Sequence, residues 1–153
     1  MSIEARLREL HLELPTPPQP MGTYTPAVRH GDLLYVSGTG PRRLDGTYVT
    51  GRLGADMDVP QGQAAARLSA LAVLATVRAQ VGSLDAVARL VKVLGFVHAT
   101  PQFTEHPKVI NGFSDLMVEV FGEAGRGARS AVGAPSLPSG IAVEVEAIFA
   151  LRP

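Results

Sequence analysis

The sequence contains no cysteine and no tryptophan. Without thiols there is no disulfide, no thiolate metal site and no cysteine nucleophile. It also lacks an excess of either charge: 14 Lys and Arg balance 14 Asp and Glu. A nucleic-acid interface leaves a basic surplus or a basic stripe. Here the only adjacent basic pair is Arg42-Arg43, beside Gly40-Pro41 in a loop-like stretch. No apolar run reads as long enough to span a membrane. The opening MSIEARLRELHLELP alternates charged with apolar residues and does not read as a signal peptide. The four histidines, His11, His30, His98 and His106, are not spaced as metal ligands and no acidic cluster accompanies them. These absences predict a soluble, cytoplasmic protein with no metal site, no nucleic-acid partner and no membrane partner.

What is present is a chain of 153 residues, 46% hydrophobic and 18% charged. That is enough for one domain with a substantial core. Residues 1–21 read as a separate lead-in. Ser2 caps a short amphipathic helix over 2–10, and Pro15, Pro17, Pro18 and Pro20 make a stiff extended segment that wraps the surface. Residues 22–153 form the main domain.

Within it, Thr23–Val28 and Leu33–Ser37 read as a hairpin around His30-Gly31-Asp32, and Gly38 ends the second strand. A Gly- and Asp-rich loop follows, with a short strand near Thr47–Thr50. Residues 61–81 carry a broad apolar helical face, with Gly82 as the stop. Arg89–Ala99 reads as a strand buried on both faces. Pro107 opens a second helix in which Val109, Phe113, Leu116, Met117 and Val120 recur at helical spacing. Gly127–Ala150 reads as two adjacent strands with a Pro/Gly/Ser-rich connection. This order predicts an α+β fold, a mixed sheet with two helices on one face. A strand apolar on both faces needs a second cover, and the simplest one is another subunit.

The chemistry-bearing residues cluster late in the chain. Arg129 opens a strand, and its planar fork suits a carboxylate. It reads either as a substrate clamp or as half of an ion pair with Glu123 or Glu144. Glu144 and Glu146 share one strand face between Ala142 and Ile148. That face is either solvated or a site holding a carboxylate of raised pKa. Asn111 precedes Gly112 early in the second helix, a helix-start irregularity or an amide aimed at a ligand. Tyr24 reads as packing or as a ligand contact, and the Ser37-Gly38 amides could face a small anion.

Five segments in order, GDLLYVSGTGP, LVKVLGFV, VINGFSDLMVEVFGE, ARSAVG and LPSGIAVEVEAIFAL, resemble the RidA/YjgF family, also labelled endoribonuclease L-PSP. The resemblance covers residues 22–151 and points to a longer-chain, divergent branch. It implies a chorismate-mutase-like fold, a homotrimeric barrel, and clefts between subunits that bind a small carboxylate or imino acid. It implies cofactor-independent hydrolysis of enamines or imines such as 2-aminoacrylate to a 2-keto acid and ammonia. The alternative is a non-catalytic trimer that binds small carboxylates as a sensor or enzyme partner. By position, Arg129 matches the arginine that holds the substrate carboxylate and Glu144 the glutamate that orients water. Tyr24, Ser37, Gly38 and Asn111 match residues lining the same cleft, while Glu146 is left a structural role. The chain departs from the family at Thr39, often Gln, and at Ala131, often Cys.

Overall fold

The computed structural model describes all 153 residues. Five strands form one sheet: β1 (Ala27–His30), β2 (Leu33–Thr39), β3 (Val87–His98), β4 (Ala128–Ala134) and β5 (Val143–Leu151). Their spatial order is β1-β2-β5-β3-β4, with β3 and β4 parallel and every other pair antiparallel. Helix α1 is Ile3–Glu9, α2 is Val59–Val81 and α3 is His106–Phe121. Helices α2 and α3 cover one face of the sheet.

The last two strands are not neighbours, contrary to the sequence expectation. Helix α3 is a crossover that returns the chain parallel to β3, so β4 takes the sheet edge. Strand β5 then fills the gap between β2 and β3 and pairs antiparallel with both. Its alternation is as expected: Val143, Val145, Ala147 and Phe149 are buried under the helices, and Glu144, Glu146 and Ile148 face the other way.

Strand β3 is buried on one face within the chain, not on both. Val93 and Val97 are buried, whereas Val91 and Lys92 are exposed and Leu94 and Phe96 half-buried. Register shifts between Val87 and Arg89 and between Leu90 and Lys92 break its early alternation, and Leu94 and Phe96 on the face opposite Val93 and Val97 make the sequence look apolar throughout. On the open face, register places Tyr35 beside Ile148, Leu94 beside Glu146 and Phe96 beside Glu144.

Helix α2 starts at Val59, two residues before the expected position. The Asp58 carboxylate accepts from the Gln61 N–H, and Gln61 Oε1 accepts from the Asp58 N–H, each at 2.9 Å. This reciprocal box satisfies two N–H groups otherwise left free at the helix start. Contrary to the sequence expectation, α2 is long and apolar enough to cross a membrane. It is instead the central core helix, burying Ala66, Ala70, Val73, Leu74 and Val77 while Arg67 and Arg78 pair with Glu119 and Glu4.

The lead-in is part of the packed structure. Helix α1 buries Leu7, donates the Ile3 N–H to Asp85 Oδ1 at 2.6 Å, and holds Arg78 through Glu4 at 2.8 Å. Burying a leucine contributes about 1.5–3 kcal/mol. A part-exposed ion pair contributes about 1 kcal/mol at most. Leu7 therefore dominates the docking, and with Pro15 also buried it fixes the course of the proline segment.

Candidate active site

Strand β2 ends in a bulge. Val36 pairs with Ala147 and Thr39 with Val145, so Ser37 and Gly38 together stand opposite Glu146. Such bulges re-aim side chains at the rims of sheets. The Ser37 hydroxyl donates to Thr25 O at 2.7 Å and the Ser37 N–H to Pro26 O at 2.9 Å. The Ser37 amide is therefore committed and does not face an anion as the sequence reading had it. Gly38 lies against Glu144: a Cβ there would sit 3.0 Å from the Glu144 carboxyl carbon. Glycine lets that carboxylate rest on the strand backbone.

These groups border a cavity of about 770 Å³ whose lining includes Tyr24, Ser37, Gly38, Tyr48 and Glu144. Tyr24 lies before β1 rather than in it, because the strand begins only after Pro26. Its phenolic oxygen accepts from the Met21 N–H at 3.3 Å.

Glu144 is half-buried and makes no hydrogen bond within the chain. Burial raises its pKa first, and the neighbouring Glu146 charge raises it further. A raised folded-state pKa means that the ionised carboxylate opposes folding. The penalty is complete above the folded pKa and is relieved as pH falls through it toward the ordinary glutamate value. Glu144→Gln is therefore expected to raise Tm at pH 7 by roughly 1–3 °C, what a change below about 1 kcal/mol gives in a domain of this size. The gain should shrink on acidification, and a Tm difference that stays constant from pH 8 to pH 4 would contradict the assigned environment.

Arg129 is built differently. One guanidinium nitrogen donates to Asn111 Oδ1 at 2.9 Å and Ser114 Oγ at 3.1 Å, and the other to Pro107 O at 3.3 Å. All three acceptors are neutral. Residues 107, 111 and 114 follow one another along the first turns of α3, so a single helix face cradles the fork. No carboxylate pairs with Arg129: Glu123 holds Arg126 at 3.3 Å, and Glu144 lies elsewhere. The ion-pair alternative from the sequence is thus overturned. The cradle orients the guanidinium and leaves its charge unneutralised.

The predicted residues therefore fall into two groups. Tyr24, Ser37, Gly38 and Glu144 surround one cavity; Arg129 and Asn111 stand together at the β4 edge. Arg129 pairs with Val93, whose side chain is under the helices, while Glu144 pairs with Phe96 on the open face. With β3 between their strands and opposite faces of the sheet beneath them, the two residues do not meet in one chain. The sequence reading missed several cavity residues: Pro18, Gln19, Pro20 and Met21 from the proline segment, Thr76 from α2, and Pro138-Ser139. Only the last left a trace, in the LPSG segment where Ser139 adopts φ 55°.

Mixed-sheet topology, helices on one face and a bulged strand beside a half-buried glutamate define a chorismate-mutase-like α+β protein. The family described as "YjgF/chorismate mutase-like, putative endoribonuclease" matches residues 4–150, and the chain belongs to that RidA/YjgF family. Protein TCP17 of Trypanosoma cruzi is 47% identical over 151 residues, 98% of this chain and 94% of that protein. A Shewanella oneidensis crystal structure, described as "a putative endoribonuclease", aligns with a TM-score of 0.94 at 35% identity, covering 99% of this chain and 100% of that one. Escherichia coli TdcF with bound serine aligns with a TM-score of 0.63 at 26% identity, covering 92% of this chain and 94% of that one.

Proposed function

We propose that the protein hydrolyses enamines and imines of small 2-amino acids to 2-keto acids and ammonia, in clefts shared between subunits of a homotrimer. The observation that carries this reading is the division of the site. One group offers an unpaired carboxylate beside a cavity, and the other offers an oriented arginine with no anion. Each is incomplete alone, and Arg129 at the edge strand of one copy is suited to close the Glu144 cavity of the next. The open face, where Tyr35, Leu94, Phe96 and Ile148 lie among Lys92, Glu144 and Glu146, is what a barrel of three sheets would cover.

In this reading Arg129 clamps the substrate carboxylate and Glu144 positions one water at the imine carbon. The water oxygen forms a bond to carbon while Glu144 takes a water proton and returns it to nitrogen. The C–N bond then breaks, ammonia leaves, and loss of the remaining hydroxyl proton gives the keto acid. A protonated imine is already electrophilic, so orientation and electrostatics suffice and no cofactor enters. The raised pKa of Glu144 makes it a stronger base for taking that water proton than an ordinary glutamate.

A second reading, binding without turnover, draws support from the serine bound to E. coli TdcF and from the departures at Thr39 and Ala131. One experiment separates the two. Imines are generated in situ with an amino-acid oxidase, ammonia and keto acid are followed against buffer, and mass is measured by light scattering. The hydrolase reading expects at least tenfold acceleration by a trimer. Keto-acid binding seen as a rise in Tm, without acceleration, leaves the binding reading. A monomer that binds no small carboxylate sinks both.

A further inference from the structure

Tyr48 borders the Glu144 cavity but carries none of the assigned chemistry. A tight hairpin brings it there. Asp45 Oδ1 accepts from the Thr47 N–H at 2.9 Å and from the Thr47 hydroxyl at 2.6 Å, and the Arg43 N–H donates to Thr47 O at 2.8 Å. The closed turn sets Arg42 opposite Tyr48 in an antiparallel bridge. The Tyr48 ring lies on Gly40: a Cβ there would sit 3.1 Å from Tyr48 Cδ1 and 3.0 Å from Ile141 Cδ1. Gly38 gives way to the Glu144 carboxylate in the same manner. Two residues apart along extended backbone, the two glycines open places on one side of it, separated by about 6.5 Å. Glu144 occupies the first place and Tyr48 the second.

Arg42 orients this phenol. Its guanidinium lies 5.7 Å from the Tyr48 ring centroid, within cation–π range, and donates to the phenolic oxygen at 3.4 Å. That is the only hydrogen bond the Arg42 side chain makes, and no carboxylate pairs with it. Its Nε is buried without a partner. An unsatisfied buried donor is costly, so a side chain held in this way is set by its contact with Tyr48 and not by its own hydrogen bonding. A tyrosine hydroxyl has one hydrogen to give. The Tyr48 oxygen accepts from Arg42, and its hydrogen goes to no group of the chain. What Tyr48 offers the cavity is therefore a donor, with a cation behind it that favours negative charge on whatever accepts.

We propose that Tyr48 is a further catalytic residue: its hydroxyl holds the hydrolytic water together with Glu144, and Arg42 is its positioning residue. The inference rests on reading the Glu144 cleft as a hydrolytic site. Glu144 accepts from one O–H of the water, Tyr48 donates to one of its lone pairs, and the other lone pair is left for the imine carbon. Two such hydrogen bonds around one water span about 5.5 Å at full stretch, the scale of the separation between the two glycines. Tyr48 keeps its proton throughout. The water oxygen gives one proton to Glu144 as it bonds to carbon and loses the other after the C–N bond breaks, ending as the keto oxygen. Each loss raises the electron density on that oxygen, so the hydrogen bond from Tyr48 strengthens along the reaction and lowers its barrier.

Tyr48→Phe keeps the ring on Gly40 and removes only the hydroxyl. On imine generated in situ from alanine, kcat is expected to fall ten- to a hundredfold while KM stays within threefold. Binding gives a readout that needs no turnover. Pyruvate carries its keto oxygen where the water oxygen ends, and propionate has none, so Tyr48→Phe should weaken pyruvate three- to tenfold by titration and leave propionate within twofold. Arg42→Met keeps the stem and removes the charge. It should lower kcat three- to tenfold in the wild type and add nothing to Tyr48→Phe, because it acts through the phenol. If Tyr48→Phe does not fold, Arg42→Met and its effect on pyruvate against propionate decide the matter. Turnover by Tyr48→Phe within twofold of the wild type, with the preference for pyruvate unchanged, overturns the role of Tyr48 and leaves the proposed function standing. A wild type without turnover overturns the hydrolase reading and the place of Tyr48 in it together.

Discussion

Arg129→Ala is expected to lower kcat/KM for imine hydrolysis by about a hundred- to a thousandfold, the loss seen when one oriented electrostatic contact to the reacting substrate is removed. Arg129→Lys should recover little, because an ammonium cannot reproduce a planar fork aligned with a carboxylate. Stability should hardly change. Arg129 makes no ion pair, and the groups it leaves, Asn111 Oδ1 and Ser114 Oγ, lie on α3 within reach of solvent. A preserved Tm with lost turnover and lost keto-acid binding is therefore the signature of a substrate clamp. A large fall in Tm with turnover per folded molecule intact would instead make Arg129 a strut between α3 and β4. Mixing Arg129→Ala and Glu144→Gln subunits gives a sharper check: if neighbours share the cleft, mixed trimers regain activity that neither parent has.

Gly112→Ala carries the largest expected effect on folding. A Cβ at Gly112 would lie 2.1 Å from the Gln63 carbonyl oxygen, which belongs to the backbone of α2. No rotamer relieves a clash with backbone, so the two helices must separate. Beneath that crossing lie Phe113, Leu116 and Met117, all fully buried, and they would lose contact as the helices part. Overpacking costs typically about 1–3 kcal/mol and sometimes more; a backbone clash belongs at the upper end. A loss of about 3 kcal/mol lowers Tm by roughly 6–12 °C in a domain of this size. In an exposed helix the same change would stabilise by about 1 kcal/mol. The sign is set by the crossing. A thermal or urea melt showing Gly112→Ala as stable as the wild type would mean that the helices do not touch there.

Much of the architecture was legible from local patterns. The helix stop at Gly82, the cap at Ser2, Pro107 at the start of α3 and the alternation of β5 all follow from short-range rules, and the structure agrees with each. The errors have one kind of cause. Gly112 reads as a weak helix residue until α2 is placed beside it. Strand β3 reads as doubly buried until the helices are seen to cover only the Val93 and Val97 face. The proline segment reads as a surface linker until Leu7 docks and brings residues 18–21 to the cavity.

The candidate site shows the same division. Arg129 and Glu144 stood out because a guanidinium and a carboxylate in apolar strands demand partners, and that demand is a property of the residues themselves. Their separation onto opposite faces of the sheet is decided by strand order and register. Those depend on a parallel crossover through α3 and on β5 entering between β2 and β3, pairings between residues far apart in the chain. Residue chemistry and hydrophobic period are local and can be read from the sequence. Which face and which neighbour each residue receives is settled only when distant strands compete for the same hydrogen-bonding edges.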